Sequence, residues 1–182
     1  MVTERVELFA EFVALRSPAL QRTAYLVACD VGLAQDLVHE ALTRTCVAWP
    51  RLRDPHRAED FARTAIVREA VRREQRRRGR PEPPAPMPVP PVVPAGPAGA
   101  RDDPVGREDP DDPAARLWLD LSLLPVRQRA AIVLRHHQEL TEREIAEVLG
   151  CAVRTAEREL AAGLDALRRS AGPEVPSQEA PR

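Results

Sequence analysis

The sequence predicts an all-α protein made of two helical domains joined by a flexible, proline-rich linker. Apolar residues recur at helical spacing on both sides of the linker, and no segment shows the sustained apolar–polar alternation of a β-strand. Hydrophobic residues make up 43% of the chain but aromatic residues only 3%, so the cores must consist mainly of Leu, Val, Ile and Ala. Such a composition favours helices.

Residues 1–80 are predicted to form the first domain. Gly32 and Pro50 bracket one apolar helical segment, because glycine interrupts and proline ends a helix. A helix rich in arginine closes the domain at Gly79. Apolar periodicity predicts four helices and one loop, with helices near residues 6–13, 20–28, 33–49 and 61–78 and the loop at residues 51–57.

Residues 81–113 are predicted to be the linker, because 12 of the 19 prolines lie there. Repeated proline removes backbone donors and excludes regular helix. Two arginines and seven acidic residues give this segment a net charge of -5. At about 3.1 Å per residue, the linker could span roughly 100 Å when extended, so the two domains could act far apart.

Residues 114–169 are predicted to form a second, smaller helical domain, followed by a disordered tail at residues 170–182. Pro125 begins one helix, and Thr141 and Glu144 have the spacing of a capping box at the start of the next. Gly150 ends that short helix, and a longer amphipathic helix follows up to residue 169. A short helix, a tight turn and a longer helix constitute a helix-turn-helix.

The second helix of a helix-turn-helix lies in the DNA major groove, with its N-terminal side chains at the base edges. The candidate contacts are Arg154, Thr155, Glu157 and Arg158, since Arg pairs with guanine and Glu accepts from cytosine. The alternative is a helical hairpin in a protein-interaction domain. Nine arginines against eight acidic residues leave the domain near +1, which predicts weak DNA binding on its own.

Residues 68–80 carry seven arginines and two glutamates, a net charge of +5 on one helix. Such density attracts the phosphate backbone of a nucleic acid. The preceding loop adds Arg51, Arg53, His56 and Arg57. The alternative is a solvated helix end, where arginine also stabilises the helix dipole.

Asp36 and Glu40 are four residues apart, so both carboxylates lie on one helix face. Paired carboxylates can serve acid–base chemistry, but no nucleophile, metal-ligand set or glycine-rich loop accompanies them. An enzyme is therefore the weakest interpretation, and a solvated acidic face is the alternative to a binding surface.

The three cysteines, Cys29, Cys46 and Cys151, are widely spaced and lie in apolar helical patterns. They are interpreted as reduced, buried side chains of a cytoplasmic protein. With no CxxC pair and four histidines, neither a metal nor a cofactor site is predicted. No apolar run reaches the roughly 20 residues that cross a bilayer, and the N-terminus lacks the pattern of a signal peptide.

Two segments, residues 32–41 (GLAQDLVHEA) and 140–150 (LTEREIAEVLG), carry a family resemblance. The first lies in a four-helix unit that ends in a basic helix, and the second lies in a helix-turn-helix after a linker. In this order the chain resembles the extracytoplasmic-function sigma factors of the sigma-70 family, in particular the actinobacterial sigma-E-like type. The resemblance covers residues 5–80, as sigma region 2, and residues 114–169, as sigma region 4.

The resemblance implies a protein that binds core RNA polymerase and directs it to promoter DNA, without catalysis of its own. The face of Asp36, Leu37 and Glu40 would dock on the clamp of the largest polymerase subunit, and the acidic linker would thread the polymerase's cationic interior. The C-terminal helix, with Arg154, Thr155, Glu157 and Arg158, would contact the -35 element. An anti-sigma factor is a further partner that the resemblance allows. The -10 element would be contacted by Arg51, Arg53, His56, Arg57, Arg63, Arg68, Arg72, Arg73 and Arg76.

The rival from another class is a free-standing helix-turn-helix transcriptional regulator. Its N-terminal helices would then form a dimerisation or sensing domain. The discriminating property is the need for core polymerase, because a sigma factor requires it for specific promoter binding whereas such a regulator binds its operator alone.

Overall fold

A computed structural model describes residues 2–52, 54–78 and 113–170. Within these ranges the chain forms seven α-helices and no strand, which confirms the all-α prediction. None of these helices is both long and apolar enough to cross a membrane. In chain order the helices are α1 (Val2–Ala28), α2 (Val31–Leu52), α3 (Pro55–Arg78), α4 (Pro113–Leu123), α5 (Val126–His136), α6 (Glu142–Leu149) and α7 (Val153–Ser170).

The first three helices pack on one another around an aliphatic core. Leu20 and Val27 of α1, Leu37 of α2, and Ile66 and Val67 of α3 are almost fully buried there. These residues are all aliphatic, in agreement with the composition. The core continues into the second unit, because α5 packs against both α1 and α3 and α6 packs against α3.

The prediction of two separate helices within residues 6–28 is wrong, because α1 runs unbroken through Pro18. Pro18 lies on the exposed side, and buried Phe12 and Leu20 flank it. Proline inside a helix costs about 3 kcal/mol or more. Burial of apolar side chains on both sides of Pro18, at about 1.5–3 kcal/mol each, offsets that cost.

The predicted loop at residues 51–57 is also wrong in extent. Helix α2 continues through Pro50 to Leu52, and α3 begins at Pro55. Asp54 lies at the start of α3, where its Oδ1 accepts a hydrogen bond of 2.9 Å from the backbone N–H of His56. Arg51 therefore lies on α2, His56 and Arg57 lie on the first turn of α3, and Arg53 lies outside the described residues.

The second unit follows the predicted pattern closely. Pro125 precedes α5, and the capping box of α6 is complete. Thr141 Oγ1 accepts from the backbone N–H of Glu144, while the Glu144 carboxylate accepts from the backbone N–H of Thr141 at 2.9 Å. Gly150 ends α6 in the left-handed conformation with a φ of 65°. Helices α6 and α7 form the predicted helix-turn-helix.

Replacement of Gly150 by alanine is expected to destabilise the fold by about 1–2 kcal/mol, because an L-residue at this positive φ is strained. No neighbouring atom lies within 4 Å of the added Cβ, so the cost is purely conformational. Gly32→Ala is the matched control, since Gly32 lies in the first turn of α2 and its added Cβ would make only an ordinary contact, 3.5 Å from Asp30. It should stabilise by about 0.4–1 kcal/mol. Urea unfolding of both variants measures the difference, and equal effects would contradict the assigned role of Gly150.

The interpretation of the cysteines as buried holds for Cys29 but is wrong for Cys46. Cys46 is exposed on α2, and Cys151 is half-buried in the turn before α7. Cys46 follows Thr45, which is fully buried, so it points to a different side of the helix.

Candidate nucleic-acid interface

The acidic face of α2 consists of Asp36 and Glu40, one turn apart. The Asp36 side chain is exposed and the Glu40 side chain is half-buried. Leu37, expected to share this surface, is instead 1% exposed and lies in the core. It thus supports α2 from within, and the surface available to a partner is formed by the two carboxylates.

Arg73 of α3 forms ion pairs with both carboxylates of the acidic face. Its guanidinium lies 3.6 Å from the carboxylate of Asp36 and donates a hydrogen bond of 3.1 Å to Glu40. Burial alone would lower the pKa of Arg73, but hydrogen bonds to Glu40 and Glu69 raise it overall. Arg73 is one of the predicted DNA contacts, and in the structure carboxylates on α2 and α3 compensate its charge.

Glu69 is the common acceptor for arginines of α2 and α3. It is 5% exposed, accepts hydrogen bonds of 2.8 Å from Arg72 and 3.4 Å from Arg73, and lies 3.6 Å from Arg44. A buried carboxylate needs such compensation, because an unpaired charge in the interior costs several kcal/mol. Arg76, at 4.0 Å from the same carboxylate, is the most exposed of these arginines.

An apolar groove lies between the C-terminal end of α2 and the N-terminal half of α3. Its volume is about 570 Å³, and Val47, Pro50 and Phe61 line it together with Arg51 and Arg44. Val47 and Phe61 are 80% and 39% exposed, so both present apolar surface to solvent in the groove. The groove combines apolar walls, one aromatic ring and cationic rims, a combination that suits an unstacked base and its phosphate.

The remaining predicted -10 residues differ in availability. His56 and Arg57 are exposed on the first turn of α3, near the groove end of that helix. Arg63 is largely buried and pairs with Glu59 at 3.2 Å and with Asp60 at 3.0 Å. Arg68 donates hydrogen bonds to main-chain carbonyls of α6. Arg63 and Arg68 thus hold protein contacts in this structure.

The helix-turn-helix presents the predicted residues at the start of α7. Arg154, Glu157 and Arg158 are exposed, and Thr155 is half-buried. Ala156 and Leu160 are buried on the opposite face, so α7 is anchored by its apolar side and turns its polar side to solvent. At Gly163 the backbone of α7 approaches α5 closely, where a Cβ would lie 2.8 Å from Ile132 Cδ1.

The sequence did not predict three features of these surfaces: the ion pairs of Glu69, and the places of Val47 and Phe61 in the groove. A usable signal existed for Glu69, because it precedes Arg72, Arg73 and Arg76 by three, four and seven residues, the spacing of one helix face. The two apolar residues carried no such signal. Their positions fit an apolar helical stripe equally well, and only the packing of α2 on α3 leaves them exposed.

Comparison with known proteins connects this arrangement to one family. Residues 116–167 match the family described as sigma-70, region 4. The chain is 30% identical over 160 residues to the RNA polymerase sigma-E factor of Streptomyces coelicolor, a match that covers 88% of this chain and 84% of the relative. The RNA polymerase sigma-E factor of Streptomyces avermitilis is 29% identical, with coverages of 88% and 83%.

One solved structure shares the fold over nearly its whole length. It is the sigma factor RpoE of Bartonella quintana, in complex with the anti-sigma factor NepR. The TM-score is 0.61 at 19% sequence identity, and the match covers 91% of this chain and 98% of that one. The likeness therefore extends over both helical units.

Proposed function

The chain belongs to the extracytoplasmic-function sigma factors of the sigma-70 family, and we propose which of its surfaces contact core polymerase and each promoter element. The acidic face of α2 binds the clamp of core RNA polymerase, the groove between α2 and α3 engages the -10 element, and α7 contacts the -35 element. The observation that carries this proposal is the match to a sigma-E factor over 88% of the chain, together with a well-capped helix-turn-helix. The protein acts without catalytic chemistry of its own.

The acidic face supports the polymerase contact because its two carboxylates are held in place by one arginine. Asp36 and Glu40 both lie within 4 Å of the Arg73 guanidinium, which fixes their side chains before a partner arrives. A preordered surface binds with a smaller loss of side-chain entropy. The complementary surface on the clamp would be cationic.

The groove lined by Val47 and Phe61 supports an interaction with an unpaired base of the -10 element. Opening a duplex requires that a base be captured outside the stack, and base stacking on an aromatic side chain is worth about 1–3 kcal/mol. Arg51 lines this groove, and His56 and Arg57 are exposed on the first turn of α3, four to five residues before Phe61, where they can neutralise the phosphates of the displaced strand. The groove would therefore bind single-stranded rather than duplex DNA.

Arg72 and Arg76 should supply sequence-independent affinity, and Arg73 should contribute much less. Arg72→Ala and Arg76→Ala should each make the slope of log binding constant against log salt concentration less steep for holoenzyme–promoter binding. The expected change in slope is roughly 0.9 for a contact to duplex DNA or roughly 0.7 for a contact to a single strand. Arg73→Ala is the internal comparison, because three carboxylates already surround its guanidinium. Affinities measured over a range of salt concentrations give the slopes. Equal slopes for the wild type and the Arg76 variant would exclude phosphate contact there.

The remaining partners follow from the same proposal. The protein would act in the cytoplasm, where the polymerase transcribes the genome. An anti-sigma factor is a further proposed partner, supported by the Bartonella quintana complex, in which a sigma factor of the same fold is bound to one.

Reconstitution with core RNA polymerase, followed by sequencing of transcript starts across the genome, tests the proposal. We expect initiation at a restricted set of promoters that share -10 and -35 motifs, and no specific promoter binding by the chain alone. Specific binding to DNA without core polymerase would instead support a free-standing regulator.

A further inference from the structure

The groove between α2 and α3 contains two arginines, Arg44 and Arg51, that differ in how firmly the protein holds them. The guanidinium of Arg44 donates a hydrogen bond to the carboxylate of Glu40, one turn earlier on α2, and lies 3.6 Å from the carboxylate of Glu69 on α3. Arg51 is exposed in the last turn of α2, and no ion pair holds it among the described residues. One arginine of the groove is therefore fixed, and the other can follow a ligand.

Two carboxylates on different helices fix the position of the Arg44 side chain. Both of them contact its Nη2 atom. A guanidinium carries five N–H donors distributed over Nε, Nη1 and Nη2, so the donors of Nε and Nη1 are separate from these contacts. Glu69 is itself buried and thus holds Arg44 from a well-packed position on α3. A side chain that is ordered before a ligand arrives loses less conformational entropy on binding.

The side chains of the groove offer many hydrogen-bond donors and few acceptors. Arg44 and Arg51 only donate, because a guanidinium has no acceptor atom. Thr43 is the other polar residue of the lining, and its hydroxyl already donates to the main-chain carbonyl of His39 at 2.9 Å. The remaining lining side chains are apolar. The groove therefore favours a base edge that carries acceptors.

Among the four bases, guanine fits this donor-rich lining best. Its O6 and N7 atoms are adjacent acceptors, which a guanidinium contacts through two parallel hydrogen bonds. On the same edge adenine places its N6 amino donor beside N7, and cytosine carries its N4 amino donor. Thymine has only the acceptor O4 on that edge. A purine also covers more of the Phe61 ring than a pyrimidine does, and stacking on an aromatic ring stabilises a base outside the duplex.

We propose that Arg44 is a specificity-determining residue of the -10 contact and selects an unstacked guanine in the groove. Glu40 and Glu69 orient its guanidinium. Phe61 stacks on the base, and Arg51 neutralises the adjacent phosphate. Glu40 thus contributes to two surfaces, since it is also part of the acidic face. The inference rests on the proposed binding of the -10 element by the groove.

Arg44→Lys separates the shape of the guanidinium from its charge. Lysine keeps a positive charge beside both carboxylates, but it lacks the planar fork that forms two parallel hydrogen bonds. Arg72 and Arg73 remain beside Glu69 in this variant, so the buried carboxylate stays compensated. The packing of α2 on α3 should therefore persist, and a change in base preference reports the loss of the fork.

A promoter library with a randomised -10 element, built on a promoter identified by transcript-start sequencing, measures base preference in transcription with core polymerase. For the wild type we expect one position at which guanine on the non-template strand exceeds the other bases. Arg44→Lys should reduce that preference at least about fivefold, the lower limit for a bidentate arginine–guanine pair. Preference is a ratio between promoters, so a partial loss of folded protein lowers all library members equally and cannot produce this result.

Arg51→Lys is the matched comparison in the same groove. It should keep the guanine preference, whatever its effect on total transcription, because a phosphate contact carries no base information and lysine retains the charge. Loss of the preference in this variant together with its retention in Arg44→Lys would assign the base contact to Arg51 and overturn the proposal.

A single-atom change in the base tests the contact directly. In a single-stranded non-template oligonucleotide, 7-deazaguanine in place of the preferred guanine converts the N7 acceptor to a C–H group. Binding of this oligonucleotide should weaken about fivefold for the wild-type holoenzyme and less than about twofold for the Arg44→Lys holoenzyme. Equal weakening for both holoenzymes would show that another residue contacts N7 and would refute the assignment to Arg44.

The outcomes distinguish the role of Arg44 from the function on which it rests. If the wild type initiates and its -10 base preferences are unchanged in Arg44→Lys, the role of Arg44 is overturned and the sigma-factor function stands. A preference for adenine, cytosine or thymine at the position that responds to Arg44→Lys would overturn the selection of guanine. Failure of the wild type to initiate with core polymerase would overturn the proposed function, and the role of Arg44 with it.

Discussion

Charge reversal at both Asp36 and Glu40 to arginine is expected to abolish co-purification with core RNA polymerase. Each substitution replaces an attraction to a cationic surface with a repulsion, and like-charge juxtaposition at an interface costs several kcal/mol. The affinity for core polymerase should therefore fall at least about hundredfold. Binding of the labelled chain to core polymerase measures the loss, and far-ultraviolet circular dichroism verifies that the helices remain.

A charge-swapped variant distinguishes a lost contact from a damaged fold. Arg73 lies within 4 Å of both carboxylates, so the reversal also creates repulsion inside the protein. The addition of Arg73→Glu restores the pairing with positions 36 and 40 with opposite sign, while Arg44 and Arg72 remain beside Glu69 to offset the new carboxylate, and it should not restore polymerase binding. Glu7 and Glu11, exposed and four residues apart on α1, provide a matched reversal that should leave binding intact. Recovery of binding in the swapped variant would contradict the proposed contact.

Arg158→Ala is expected to weaken transcription from the preferred promoter and to relax the base preference at one or two adjacent positions of the -35 element. Arg158 is exposed one turn after Arg154 on the polar side of α7, opposite buried Ala156 and Leu160. A bidentate arginine–guanine pair is worth roughly 1–3 kcal/mol of discrimination against other bases. Glu157, also exposed beside it, repels phosphate and makes nonspecific attachment at this turn unfavourable.

A library of promoters with randomised -35 elements, assayed by transcription, measures the change. Arg168→Ala is the control on the same helix. Arg168 lies ten residues beyond Arg158, about 15 Å further along the axis, and pairs with Asp165. Equal loss of activity on every library member would identify Arg158 as a backbone contact and refute its role in specificity. An unaltered profile would exclude α7 from the -35 contact.

The features that the sequence predicted well are local. The capping box of Thr141 and Glu144 and the end of α6 at Gly150 each depend on residues within one or two helical turns. Both features have the expected geometry. Helical periodicity likewise placed Arg154 and Arg158 on the exposed face of α7. Where a structural signal lies within a few residues, residue type and spacing determine it almost alone.

The features that the sequence did not reveal depend on packing between distant segments. Pro18 and Pro50 are local signals for a helix end, yet α1 runs through Pro18, which buried Phe12 and Leu20 flank, and α2 runs through Pro50 to Leu52. The charge of the arginine-rich helix was correctly counted, but the capture of Arg73 by carboxylates of α2 depends on how α2 and α3 align. Residues 27 and 129 are 102 positions apart, and no local pattern indicates that one binds the carbonyl of the other.

Arg129 of α5 and Arg68 of α3 join the two helical units by hydrogen bonds to main-chain oxygens rather than to side chains. Val27 and Ala28, like Glu147 and Val148, present the same carbonyl groups whatever side chains they carry. Substitution at these four positions leaves the acceptors in place, whereas one residue inserted into α1 would rotate its end by about 100° and shift it by about 1.5 Å. The hydrogen bonds therefore place no constraint on which residues occupy these four positions. The length of α1 is the property under constraint, and deletions or insertions there should be far less tolerated than point changes.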